Sequence, residues 1–173
     1  MRLRLIRPSA MYRTQITEMM DEWFATGEKI VPWTIRRVDY RSFDAYIKDF
    51  ERETVEPSVA GVMAATYFAL NEAENKIVGA VNIRHDLNDS LLRSGGHIGD
   101  GVRPSERRKG YATEIISLAL DKCRDMGIEK VLITCDKSNI GSAKSIMSNG
   151  GILQDEHEVD GVMEQRYWIV LQV

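Results

Sequence analysis

The sequence predicts an α+β domain built on a mixed, mostly antiparallel central sheet, with helices on both faces and one β-α-β crossover. Three observations predict it. Strand-type and helix-type hydrophobic periodicities alternate along the chain, with no repeat or low-complexity tract. Two apolar runs, 61–70 and 76–84, flank the polar stretch from Asn71 to Asn75, the pattern of an antiparallel hairpin. A strand ending at Pro104 leads into one long amphipathic helix and then another strand. Such a crossover predicts a parallel pair with a right-handed connection.

The elements follow in order. Leu3 and Leu5 alternate with Arg2 and Arg4, and Pro8 closes this first strand. Ser9 is an N-cap residue type for a helix through about Phe24, whose apolar positions are Ile16, Met19, Met20, Trp23 and Phe24; Gly27 ends it. Val31-Pro32-Trp33 reads as a loop. A second helix is expected from Tyr40 to about Arg52, with Phe43, Tyr46, Ile47 and Phe50 on one face. The hairpin strands come next, then a loop or short helix over 86–96. A strand runs from His97 to Arg103, and a helix from about Glu106 to Met126 carries the stripe Ala112, Ile115, Ile116, Ala119, Leu120 and Cys123. Gly127 is its C-terminal stop. A strand over 130–135, a short helix over 139–148 broken by Gly150-Gly151, and strands near 152–159 and 163–171 complete the chain.

A length of 173 residues predicts a single domain spanning 1–173, large enough to bury a core without cross-links. The formal net charge of -3 gives no overall pull toward nucleic acid or an anionic membrane. The two cysteines, Cys123 and Cys135, sit in apolar stretches and form no CxxC, which argues against a disulfide framework and a structural zinc. No apolar run approaches the ~20 residues of a membrane span, and the start MRLRLIRPS is not a signal peptide. The expectation is a soluble, cytoplasmic protein with no metal, nucleic-acid or membrane partner. Oligomeric state is left open, since the last strands could pair across a homodimer.

The most informative segment runs from Val102-Arg103-Pro104 through Arg107-Arg108-Lys109-Gly110-Tyr111-Ala112-Thr113. A helix start leaves main-chain N–H groups without partners and carries a partial positive charge, which together bind anions. Gly110 allows close approach of a phosphate, small Ala112 keeps the next turn open, and Arg107, Arg108 and Lys109 add cations. A diphosphate suits this arrangement. The loop is neither GxxxxGK[ST] nor GxGxxG.

Arg107-x-x-Gly110-x-Ala112 resembles the Q/R-x-x-G-x-G/A pyrophosphate signature of the GNAT superfamily of N-acetyltransferases. Downstream, Asn139-Ile140-Gly141-Ser142-Ala143 with Asn149-Gly150-Gly151 resembles the family's second coenzyme motif. The likeness spans about 77–170, and the wider run 97–112, with Arg84-His85-x-Leu87-Asn88 upstream, resembles a bacterial subgroup of predicted acetyltransferases. It implies the GNAT fold, with the crossover at an acetyl-CoA site, and transfer of acetyl from acetyl-CoA to a primary amine of a small molecule or protein. It further implies that amides of Arg108 to Thr113, including Lys109, Gly110, Tyr111 and Ala112, bind the diphosphate beside Arg107. Gly101 and Val102 would meet the pantetheine in the manner of an added strand. Asn139 and Ser142 would hydrogen-bond its arm, although Asn139 is equally an N-cap residue type.

Amine acetylation needs a base, because an alkylamine has a pKa near 10. Asp100 and His97 on the strand before the phosphate loop are candidates of equal standing, with Gly99 and Gly101 easing close approach. His85 is read as a structural loop residue. The tyrosine that many family members use to protonate the departing thiolate corresponds to Ile146 here; Tyr167 is the candidate substitute, although a core aromatic beside Trp168 is the stronger reading. Trp33, in its loop, is a residue for the acceptor pocket, whereas Phe43, Tyr46 and Tyr67 read as core. The alternative function is a CoA-binding sensor with weak or no catalysis.

Overall fold

The computed structural model describes residues 2–172. Its elements are β1 (Leu3–Ile6), α1 (Arg13–Ala25), α2 (Phe43–Arg52), β2 (Ala64–Asn71), β3 (Lys76–Arg84), α3 (Asp89–Arg93), β4 (Ile98–Val102), α4 (Tyr111–Asp125), β5 (Lys130–Asp136), α5 (Ile140–Ser148), β6 (Ile152–Val159) and β7 (Val162–Val170). The order matches the sequence reading, and the α+β class with mostly antiparallel sheets holds. The boundaries differ at helix starts. Ser9 makes no side-chain cap, and a 3-10 turn at Ala10–Tyr12 precedes α1. Another 3-10 turn occupies Pro104–Glu106, so α4 begins only at Tyr111. Phe24 leaves the apolar face of α1 and is exposed, with the Arg41 guanidinium over its ring.

The strands form two sheets rather than one, in the orders β1-β2-β3-β4 and β5-β7-β6, and every pairing is antiparallel. The parallel pair expected from the crossover is therefore corrected: β4 and β5 share no ladder. They meet at one point, where the His97 N–H donates to the Leu132 carbonyl at 2.8 Å and the Leu132 N–H donates to His97 Nδ1 at 3.0 Å. A Cβ on Gly96 would run into the Leu132 carbonyl, so the glycine sets how closely the two backbones approach. Beyond that clasp the strands part, each leaving one edge free of a strand partner.

Helix α4 holds the parted sheets together. Its buried stripe, Ile115, Ile116, Ala119, Leu120 and Cys123, packs against Val81, Ile83 and Ile98 of the first sheet and Val131, Ile133 and Ile169 of the second. Burying each such aliphatic side chain is worth about 1.5–3 kcal/mol, enough to offset the missing strand-to-strand ladder. The opposite face of the first sheet is covered by α1 and α2. Ile16, Met19, Met20, Trp23, Phe43, Tyr46 and Phe50 pack there against Phe68, Leu70, Ile77 and Ala80. Phe43 and Tyr46 are thus core residues, as their spacing predicts.

A buried ion cluster ties the α1–α2 connection to α2. Arg37 Nε donates to Asp49 at 2.5 Å and Nη2 donates to Glu53 at 2.9 Å, with about a tenth or less of each side chain exposed. Removing one partner of such a cluster leaves uncompensated buried charge. Arg37→Met is expected to lower stability by about 3–5 kcal/mol in urea unfolding. An unchanged midpoint would mean that water enters and solvates both carboxylates.

Candidate active site

The segment between β4 and α4 is shaped by two residues in the left-handed region, Arg108 (φ 63°) and Gly110 (φ 84°). This turn points successive amides to one side, a concavity that suits anions. Main-chain N–H groups from Arg108 to Thr113 find no acceptor among the described residues, the first intrahelical bond being Glu114 N–H to the Gly110 carbonyl. Arg107 reaches across to donate to Glu28 at 2.7 Å and lies over the Trp23 ring. Lys109 is committed elsewhere: with Lys76 it pairs with buried Glu106, whose carboxyl these two cations hold below its ordinary range.

A cavity of about 600 Å³ opens beside this turn, bounded by β4, the start of α4 and α5. Of the residues assigned from the sequence, Asp100, Gly101, Val102, Arg107, Arg108, Gly110, Tyr111, Ala112, Asn139 and Ser142 line it. Lys109, Thr113, His97 and Tyr167 are not among its lining residues. The Thr113 hydroxyl instead donates to Ser145 at 3.3 Å, and its carbonyl accepts from Asn149 at 3.0 Å, joining α4 to α5. Asn139 caps α5, its Oδ1 accepting the Ser142 N–H at 3.1 Å, which realises the capping role; its Nδ2 has no partner among the described residues.

The sequence reading missed Trp23, Val31, Gly141, Lys144 and Ser145 as lining residues. Trp23 and Val31 lie far away in sequence and were legible only as core and loop. Lys144 and Ser145 fall on the helical face that carries Gly141 and Ser142, a signal that the i, i+3 and i+4 spacing contains. Val31 is drawn in because Gly101 has no side chain, since a Cβ there would strike the Val31 carbonyl.

The candidate catalytic groups are separated by the fold. Asp100 lies on β4 facing the gap between the sheets; its carboxyl forms no hydrogen bond or ion pair with another of the described residues, only its own main-chain N–H lying within reach. Burial pushes its carboxyl up to about 6. His97 is 6% exposed and its Nδ1 is taken by the Leu132 N–H, so the ring carries its proton on Nε2. Burial, with the nearby Arg84, pushes it down to about 4. That geometry is a clasp between sheets. Tyr167 points into the core, its hydroxyl donating to Gln165 at 2.8 Å. Ile146 is fully buried and does not line the cavity.

The clasp has a pH signature. A histidine whose folded pKa is below its unfolded value contributes full stability above pH 6.5 and loses it as pH falls toward about 4. We expect stability to fall across that window in the wild type. His97→Gln should flatten this slope and cost about 1–3 kcal/mol at pH 8 by orphaning the Leu132 N–H. Chemical unfolding at pH 8 and pH 5 checks both.

Trp33 is 37% exposed and lines a separate cavity of about 400 Å³ with Arg37, Asp49 and Glu53, not the cavity beside the turn. Among the described residues no three His, Cys, Asp or Glu side chains gather as a metal site, and no helix is long and apolar enough to cross a membrane.

Parted sheets, an amide-lined turn at a helix start and a carboxyl in the gap are an arrangement that suits an acyltransferase with a diphosphate-bearing coenzyme. Residues 2–152 match the Acetyltransferase (GNAT) domain family, and the chain belongs to that family: it is an acetyl-CoA-dependent N-acetyltransferase. Solved structures share the fold. A microcin C7 self-immunity acetyltransferase, MccE, in complex with acetyl-CoA and AMP is 18% identical with a TM-score of 0.68, covering 98% of this chain and 93% of that one. RimL, a ribosomal L7/L12 alpha-N-protein acetyltransferase, in complex with coenzyme A is 13% identical with a TM-score of 0.70, covering 98% and 94%. The spermidine/spermine N-acetyltransferase SpeG from Vibrio cholerae is 15% identical with a TM-score of 0.64, covering 98% and 92%. No curated protein matches the sequence.

Proposed function

We propose that this single-domain enzyme transfers acetyl to an α-amino group, with Asp100 as the general base. In this reading the coenzyme diphosphate sits on the amides of Arg108 to Thr113, flanked by the Arg107, Arg108 and Lys144 cations. The pantetheine runs along Gly101 and Val102 toward Asn139 and Ser142. Asp100 takes one proton from the acceptor ammonium, the freed amine attacks the thioester carbonyl in the gap, the C–S bond breaks, and the second nitrogen proton passes to water. Thiolate departs without a tyrosine donor. With a thiol pKa near 8.5, that costs only about 2 kcal/mol at neutral pH.

The observation that carries the base assignment is the Asp100 carboxyl, which lines the cavity and is raised by burial to about 6. The α-amine reading rests on the acceptor: giving up a proton to any one base costs a peptide α-ammonium of pKa near 8 about 3 kcal/mol less than an alkylammonium near 10. Ribosomal-protein α-amines and polyamines both appear among the acceptors named for proteins of this fold, and the lower pKa of the α-amine favours it at neutral pH. The test is CoA release at pH 7 with amino acids and short peptides beside putrescine- and spermidine-type polyamines. Faster turnover on α-amines is expected; polyamines turning over as fast would refute the assignment.

A further inference from the structure

We infer that the free Nε–Nη2 edge of Arg84 binds a carboxylate carried by the acceptor, close to the amine that is acetylated. The inference deepens the α-amine reading and rests on the acceptor entering the gap beside β4.

Arg84 closes β3, and its side chain lies on the face of the sheet opposite α4, over Gly99 of the neighbouring strand. A Cβ on Gly99 would stand 3.3 Å from Arg84 Nη2 and 3.6 Å from Pro32 Cβ. The bare backbone of Gly99 is what gives the guanidinium its place there. One arm of Arg84 is used structurally, Nη1 donating to the Gly95 carbonyl at 2.9 Å and the Gly96 carbonyl at 3.1 Å. Those bonds fix the plane of the group. The remaining donors, on Nε and Nη2, find no acceptor among the described residues, and no carboxylate there comes within ion-pair distance of Arg84. Glu53 is near enough to be felt electrostatically, but Arg37 holds it.

A partly desolvated guanidinium with an open side-on fork is unusual, because buried charges are ordinarily paired. Nε and Nη2 donate in parallel, the geometry that takes a carboxylate with two hydrogen bonds. The position serves the reaction. β4 is the edge strand of its sheet, with Asp100 facing the gap and Gly99, one residue before it, under Arg84. An acceptor whose nitrogen lies in the gap near Asp100 can pass its carboxylate around this edge, where no side chain on Gly99 obstructs it. The carboxylate can be the main-chain group of a free amino acid or the side chain of an acidic residue at a peptide amino terminus.

The experiment pairs acceptors with and without this charge, an amino acid against its amide and a peptide beginning with Asp against one beginning with Asn, with KM referred to the unprotonated amine because the carboxylate also raises the amine pKa. Wild type, Arg84→Gln and Arg84→Lys are compared for KM and kcat on each pair, for KM of acetyl-CoA and for thermal unfolding. The wild type is expected to show a KM at least tenfold lower for the carboxylate member of one pair, and which pair responds identifies the source. Arg84→Gln should erase that preference with kcat on the amide member within about twofold. Arg84→Lys, keeping charge without the fork, should fall between. Equal KM values within both pairs in the wild type would overturn the proposal. So would a substitution that weakens both members of a pair alike, which is what a purely structural hold on the Gly95-Gly96 turn would do. Calorimetry of the CoA-loaded protein with N-acetylated amino acids and their amides separates the two readings. Carboxylate-dependent binding lost in Arg84→Gln would sustain the Arg84 assignment even if no α-amine were acetylated, and binding independent of the carboxylate would end it.

Discussion

Asp100→Asn should lower kcat/KM for amine acceptors by about 100- to 1,000-fold, the usual contribution of a positioned general base, and change acetyl-CoA affinity by no more than about twofold. The asparagine is isosteric, so the gap keeps its shape while its proton acceptor disappears. In the wild type, kcat/KM should fall as pH drops below about 6, where the carboxyl takes up its proton. The variant should lack that limb, and a limb near pH 6 retained by Asp100→Asn would assign it to another group.

The same substitution has an opposite effect on stability. A carboxyl whose folded pKa is raised above 3.8 contributes its full stability below that pH and loses it as pH rises to about 6. At pH 8 the wild type carries an unpartnered charge that asparagine does not. Asp100→Asn should therefore raise Tm at pH 8 and leave it nearly unchanged at pH 4. A gain in stability coupled to a loss of rate is the pattern of a residue kept for chemistry. A Tm drop at pH 8 would show that the carboxylate is satisfied by ordered water.

Gly110→Trp should reduce acetyl-CoA affinity by at least about 100-fold while the fold survives. Gly110 sits at φ 84°, in the region that favours glycine, so any side chain there strains the turn that aims the amides. The position is open: a Cβ would meet only Arg2 Nη2, at 3.5 Å. The indole therefore has room, and the room it takes is the one proposed for the diphosphate. Calorimetry with acetyl-CoA, beside circular dichroism of the variant, checks this. Unchanged affinity would mean that the diphosphate binds away from the turn.

Local chemistry made the turn before α4 and most of the residues lining the cavity beside it legible. Gly110, Ala112 and the cations around them stand within six residues of one another, and the amphipathic stripe of α4 placed a helix start beside them. Boundaries were less legible for a related reason. The left-handed turn at Arg108 and Gly110 delays α4 to Tyr111, and nothing in the hydrophobic pattern distinguishes that turn from a first helical turn. Asp100 and His97 could not be separated in the sequence, three residues apart on one strand. Their roles diverge because one side chain faces the gap and the other engages the second sheet.

The order of elements, the α+β class, the glycine-bearing basic turn and the resemblance to acetyltransferases can all be read from residues close together in the chain. Long-range packing alone settles that β4 and β5 part after a single clasp, that Val31 and Trp23 wall the cavity, that Lys109 belongs to Glu106, and that Arg84 stands with an open fork over Gly99. These features depend on which surfaces α4 can bury at once and on where glycines let backbones approach. Such contacts join residues dozens of positions apart, and their energies are set by packing rather than by any local spacing.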